Sequence, residues 1–146
     1  MQDIKDLALK DLEKEFVALG AKPYHARQVF SWLYKRGVWD FNYMSDIPQA
    51  LRGKLADRFY ILGFKLLKHL ESKDGTKKIL LGAKDNNSIE AVLIPANSRV
   101  TGCLSSQVGC KYGCSFCASG MLGFKRNLTA GEIIEEAIYL KDNALE

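Results

Sequence analysis

The chain has 146 residues, 47% of them hydrophobic and 26% charged, with a formal net charge of +4. That is a globular composition, large enough for one domain or for a small domain joined to part of another. No apolar run approaches the ~20 residues that cross a bilayer, and the start, MQDIKDLALKD, lacks the apolar core of a signal peptide, so a cytoplasmic protein with no membrane attachment is expected. The positive surplus falls in roughly the first seventy residues, which suits an anionic partner such as RNA and equally suits a solvated basic surface.

Ile4, Leu7, Ala8, Leu12, Phe16 and Leu19 recur at three- and four-residue spacing up to Gly20, predicting an amphipathic helix with a glycine stop. A second helix is predicted from Pro23 towards Gly37, carrying Val29, Phe30, Trp32 and Leu33, because proline loses nothing in a first helical turn. A third fits Pro48 to Phe59, with Leu51, Leu55 and Phe59 stacked on one face. The pattern then changes. KKILLGA (77–83) and SIEAVLIP (88–95) are rich in branched apolar residues and flank the polar turn Lys84-Asp85-Asn86-Asn87, predicting a β-hairpin, and SRVTGCLSS (98–106) adds a third strand. Thr129-Ala130-Gly131-Glu132 has the form of a capping box and opens a last helix through Ile133, Ile134, Ala137, Ile138 and Leu140. The fold class expected is α+β, with a domain boundary in the stretch 61–75.

Between that strand and that helix lies VGCKYGCSFCASGMLGFKRN (108–127), which holds Cys110, Cys114 and Cys117; Cys103 stands seven residues upstream. In a reducing compartment clustered cysteines read as metal ligands or reactive thiols rather than disulfides. Structural zinc wants four closed ligands, and the two histidines, His25 and His69, lie far upstream. Cys103 could complete a four-thiolate zinc site. Three thiols at x3 and x2 spacing without an evident fourth suit a [4Fe–4S] cluster with one iron left open for chemistry.

The segment Cys110-Lys111-Tyr112-Gly113-Cys114-Ser115-Phe116-Cys117 resembles the CxxxCxΦC signature of radical S-adenosylmethionine (SAM) enzymes, in which the open iron binds the amino and carboxylate groups of SAM. The flanks SSQVGC and GFKRNLTAGEI resemble the RlmN-type adenine-C2 methyltransferases of 23S rRNA and tRNA. YHARQVFSWLY (24–34) resembles that family's N-terminal accessory motif, and IEAVLIP (89–95) its strand before the barrel. The resemblance implies a helical RNA-binding accessory domain at residues 1–65, a linker and β-hairpin at 66–95, and the start of a radical SAM (βα)6-type barrel at 96–146. It assigns Cys110, Cys114 and Cys117 to the cluster, Cys103 to a catalytic thiol that forms a disulfide with a methyl-carrying cysteine, and Glu90 to the base that takes the adenine C2 proton. It further implies SAM as cofactor, 23S rRNA and tRNA as partners, an electron donor such as flavodoxin or ferredoxin, and a monomer.

Each residue also has a plainer reading. A strand cysteine is commonly a small hydrophobe, and a hairpin glutamate commonly faces solvent. Phe116 would contact SAM, shield the cluster or pack in the core. Lys125, Arg126 and Asn127 would meet RNA phosphate or water. Trp32, Tyr34 and Trp39 would stack on bases or fill the helical core, the latter being favoured by their spacing. Competing functions are methylation of C8 of the same adenine, as in the Cfr-type relatives, and a non-enzymatic RNA-binding module built on zinc. About thirty residues follow the cysteine loop, enough for its helix but not for a six-unit barrel, so the chain on its own is expected to lack methyltransferase activity.

Overall fold

The computed structural model describes residues 1–143 and divides into two units, Met1–Gly63 and Phe64–Glu146. Residues 144–146, the end of the predicted barrel segment, lie outside the described residues.

In the first unit a two-residue strand β1 (Gln2–Asp3) leads through a 3-10 turn (Ile4–Asp6) to helices α1 (Leu9–Ala18), α2 (Pro23–Tyr34) and α3 (Gln49–Arg58). The first helix is therefore shorter than its apolar spacing predicts. Asp3 caps the 3-10 turn by accepting the Lys5 backbone N–H at 3.1 Å, and the chain is extended at Leu7 and Ala8 before α1 begins. Ile4 still reaches the core, joining Leu12, Phe16, Val29, Leu33 and Leu55. Pro23 opens α2 and Pro48 precedes α3, as expected of a residue with no N–H to satisfy. A second short strand, β2 (Phe59–Tyr60), pairs in parallel with β1 and closes the unit.

The second unit is built on an antiparallel sheet of β3 (Lys65–Glu71), β4 (Lys77–Gly82), β5 (Ser88–Ala96) and β6 (Arg99–Cys103), in that order. The hairpin and third strand lie where the sequence predicts them; β3, in the stretch read as boundary and linker, is additional. Alternation decides the faces of the sheet. Ile79 and Leu81 of β4 and Ile89, Ala91 and Leu93 of β5 are buried with Val108, Leu128 and Leu140. Then come β7 (Gln107–Val108), the cysteine loop, the short helix α4 (Ala118–Met121), β8 (Arg126–Asn127) and α5 (Ala130–Asn143), which packs against β5. The capping box forms as read: the Thr129 N–H donates to Glu132 Oε2 at 2.9 Å, and the Glu132 N–H to Thr129 Oγ1 at 3.2 Å.

Candidate functional site

Register brings Glu90 and Cys103 to one face of the sheet. Val92 pairs with Cys103, and partners in an antiparallel ladder share a face, so Glu90, two positions from Val92, is a diagonal neighbour of Cys103. It is the face opposite to Ile89, Ala91 and Leu93. Cys103 is exposed, so it is not the packed small hydrophobe that its strand position suggests. Glu90 is half-exposed and ion-paired with Lys78 at 2.9 Å.

Beyond Cys103 the pairing with β5 continues through a side chain. Ser105 Oγ donates to the Glu90 carbonyl oxygen at 2.8 Å, and the Ser105 backbone N–H donates to Glu136 Oε2 at 2.7 Å. Glu90, Ser105, Ser106 and Gln107 line a cavity of about 290 Å³, together with Gly109, Ala118 and Ser119 from either side of the cysteine loop. The strand glutamate and the edges of the loop thus open onto the same space, with several hydroxyl groups in its wall.

Two glycines hold the loop in shape. Gly109 has φ +72°, and a Cβ there would lie 1.7 Å from the Gly123 carbonyl oxygen, so the residue before Cys110 admits no side chain. Gly120, in α4, sits against the Cys114 backbone, where a Cβ would lie 2.8 Å from the Cys114 nitrogen. Between them Cys110, Cys114 and Cys117 are half-buried free thiols, and Cys114 and Cys117 are joined by a backbone hydrogen bond of 3.1 Å. Among the described residues no three His, Cys, Asp or Glu side chains are gathered tightly enough to hold a metal ion, and no disulfide forms. The donor chemistry nonetheless suits an iron–sulfur cluster: three soft thiols on one loop, all partly accessible.

Other candidates divide. Phe116 is 91% exposed, which removes the core-packing alternative. Arg126 is engaged: its guanidinium grips Glu132 through two bonds of 2.7 and 2.8 Å and reaches Asp85 at 2.7 Å. That network holds the Asp85 and Glu132 carboxyls below their ordinary pKa, Asp85 well below it, and ties the hairpin turn to α5. Lys125 and Asn127 are exposed. In the first unit Trp32 and Tyr34 are half-buried against the core, Trp32 with Arg36 stacked 3.8 Å over its ring. Trp39 departs from the core expectation: it is 65% exposed, edge-on to Tyr43 at 5.5 Å between centroids.

Glu136 has no counterpart among the sequence candidates. It is fully buried, its Oε1 has no partner among the described residues, and burial, reinforced by the nearby Glu132, pushes its pKa up to about 7 against the pull of the Ser105 N–H. Its only trace in the sequence is the four-residue spacing Glu132, Glu136, Leu140, which makes one buried stripe of α5.

Comparison with known proteins defines the class first. A solved radical SAM methyltransferase from Sphaerobacter thermophilus matches with a TM-score of 0.90 at 39% identity, covering 99% of this chain and 43% of that one. Residues 2–61 match the family model of the ribosomal RNA large subunit methyltransferase N-terminal domain. The dual-specificity RNA methyltransferase RlmN of Solidesulfovibrio magneticus is 43% identical over 150 residues, covering all of this chain and 43% of the relative. The probable dual-specificity RNA methyltransferase RlmN of Moorella thermoacetica is 47% identical over 142 residues, 94% of this chain and 40% of the relative. The chain is similar to these RlmN methyltransferases over most or all of its own length and spans about two fifths of the length of these curated relatives.

Proposed function

We propose that this chain is part of an RNA methyltransferase that places a methyl group on C2 of adenine in 23S rRNA and tRNA, the first unit contributing to RNA binding and the second to the reaction centre. The observation that carries the reading is the shared cavity of about 290 Å³, onto which Glu90 and both flanks of the three-cysteine loop open. Cys110, Cys114 and Cys117 would hold a [4Fe–4S] cluster, which together with SAM supplies one-electron chemistry able to functionalise an unreactive C–H carbon.

The chain's own residues account for the remaining tasks. Glu90, ion-paired with Lys78, is the base that receives the C2 proton at its side chain. Cys103 presents an exposed thiol on the same sheet face, within reach of a base held against Glu90, and serves to release the product from its covalent attachment to the protein. Phe116, exposed on the loop, is available to cover SAM. The open face of the sheet is where the adenine is received, and the serine-rich wall of the cavity offers hydrogen bonds to a polar ligand.

Anaerobic reconstitution of the chain with iron and sulfide tests the reading. About four iron and four sulfide per chain, lost on changing any of Cys110, Cys114 or Cys117 to Ala and kept in Cys103→Ala, is the expected result. One tightly held zinc that requires Cys103 as well would overturn it in favour of a structural metal.

A further inference from the structure

The acceptor side of the reaction face depends on a residue from the other side of the sheet. Glu136 projects from α5, is wholly buried, and spends one carboxyl oxygen on the Ser105 backbone N–H at 2.7 Å. Ser105 in turn spends its hydroxyl on the Glu90 carbonyl at 2.8 Å. It stands two residues after Cys103, past the last ladder pair of β5 and β6, and just before Ser106, whose carbonyl accepts the Leu128 N–H at 3.0 Å. Two hydrogen bonds to one serine therefore join helix α5, the exit of β6 and the Glu90 position of β5.

We infer that Glu136 is a positioning residue: it anchors Ser105, and through Ser105 it sets the placement of Cys103 relative to Glu90. The assignment rests on the reading of those two residues as the reactive pair. The Ser105 N–H is only part-buried, so removal of the carboxyl frees the segment to turn that N–H to water rather than leaving it in place unsatisfied. The bond is also sensitive to charge, since a carboxylate accepts more strongly than a carboxylic acid. Desolvation and Glu132 bring the ionisation of Glu136 up to about 7. Glu132 on its own helix is the charged group that bears on the Glu136 carboxyl; Glu90 of β5, the strand packed against α5, lies on the opposite face of the sheet, and Lys77 of β4 reaches only the end of α5, at the Asn143 carbonyl. Glu132 is tied to Arg126 and Glu90 to Lys78. The Ser105 anchor is accordingly tighter above neutral pH and looser below it.

The 146-residue chain, labelled with nitrogen-15, tests this directly without iron, SAM or RNA. The Ser105 amide resonance of the wild type is expected to titrate with a midpoint between about 6 and 8. Glu136→Gln, which retains an acceptor oxygen and cannot ionise, abolishes that titration while keeping Ser105 protected from hydrogen exchange. Glu136→Ala raises Ser105 exchange by about tenfold and alters the alkylation rate of Cys103 at a fixed pH of 8, with hairpin amides such as Ile79 and Ala91 unchanged. A Ser105 titration that persists in Glu136→Gln, or a folded Glu136→Ala with wild-type Ser105 exchange and Cys103 reactivity, would overturn the inference. Should Glu136→Ala fail to fold, the comparison of wild type with Glu136→Gln still decides it. Failure of the functional reading is separate, because it appears in the metal content and leaves these amide measurements untouched.

Discussion

Burial changes the chemistry of Glu136, and its effect on stability follows from the sign of its shift. Its pKa is about 7 in the folded chain against 4.5 for an ordinary glutamate, so the folded state binds more protons between those limits. Stability contributed through this group is thus full below pH 4.5 and falls as pH rises through about 7, by a total on the order of 3 kcal/mol. Urea denaturation of wild type and Glu136→Gln across pH 5 to 8 should show the wild type losing stability relative to the variant as pH rises. Glu132 acts in the opposite sense: its pKa is lowered by Arg126, so the stability it adds is present above the ordinary carboxylate range and lost as pH falls through the lower folded value. If Cys103 acts as proposed, Cys103→Ala in a full-length enzyme carrying this sequence should trap a covalent protein–RNA adduct, seen as a slow-migrating band on a denaturing gel. Clean turnover by that variant would remove Cys103 from the mechanism.

At the scale of elements, the cysteine loop depends on glycine at positions that differ in tolerance. Gly109→Ala forces a Cβ to within 1.7 Å of the Gly123 carbonyl oxygen at a left-handed φ of +72°, and should destabilise the loop by about 2–4 kcal/mol. Gly113→Ala, at φ +59° with open space around it, should cost only about 1–2 kcal/mol. Iron content after reconstitution should separate the two, falling sharply in the first and little in the second. For α5, Thr129→Ala removes one half of the capping box and should cost about 1 kcal/mol in thermal or urea unfolding. The buried stripe of that helix is Glu132, Glu136 and Leu140, while Ile133, Ile134 and Ile138 are only half-buried. Hydrophobicity by itself finds only part of the packed face of α5, Leu140 and the half-buried Ile133, because two of the three stripe positions are carboxylates held by specific hydrogen bonds. Strand β3 escapes sequence reading for a related reason. All seven of its residues are exposed, so Lys65 to Glu71 has no alternating buried face and is held by its ladder to β4.

Across the whole molecule, sequence and tertiary structure decided different things. Helices α2 and α3, the hairpin, the third strand, the capping box and the three-cysteine loop could all be read in advance, because each is encoded by neighbours in the chain: a proline, an alternation, a four-residue box, a spacing of thiols. The family resemblance likewise rested on contiguous strings. What could not be read is which distant residues meet. Pairing of Val92 with Cys103 decides that Cys103 shares a face with Glu90, and a slip by one residue would send it to the core side. The same holds for Trp39, whose helix-like spacing places it in the core although the chain turns it outward, and for Glu136, ordinary until burial deprives its carboxyl of water. Local patterns specify elements through short-range sterics and periodicity. Faces, exposure and ionisation depend on strand register and desolvation, which exist only once the elements have packed.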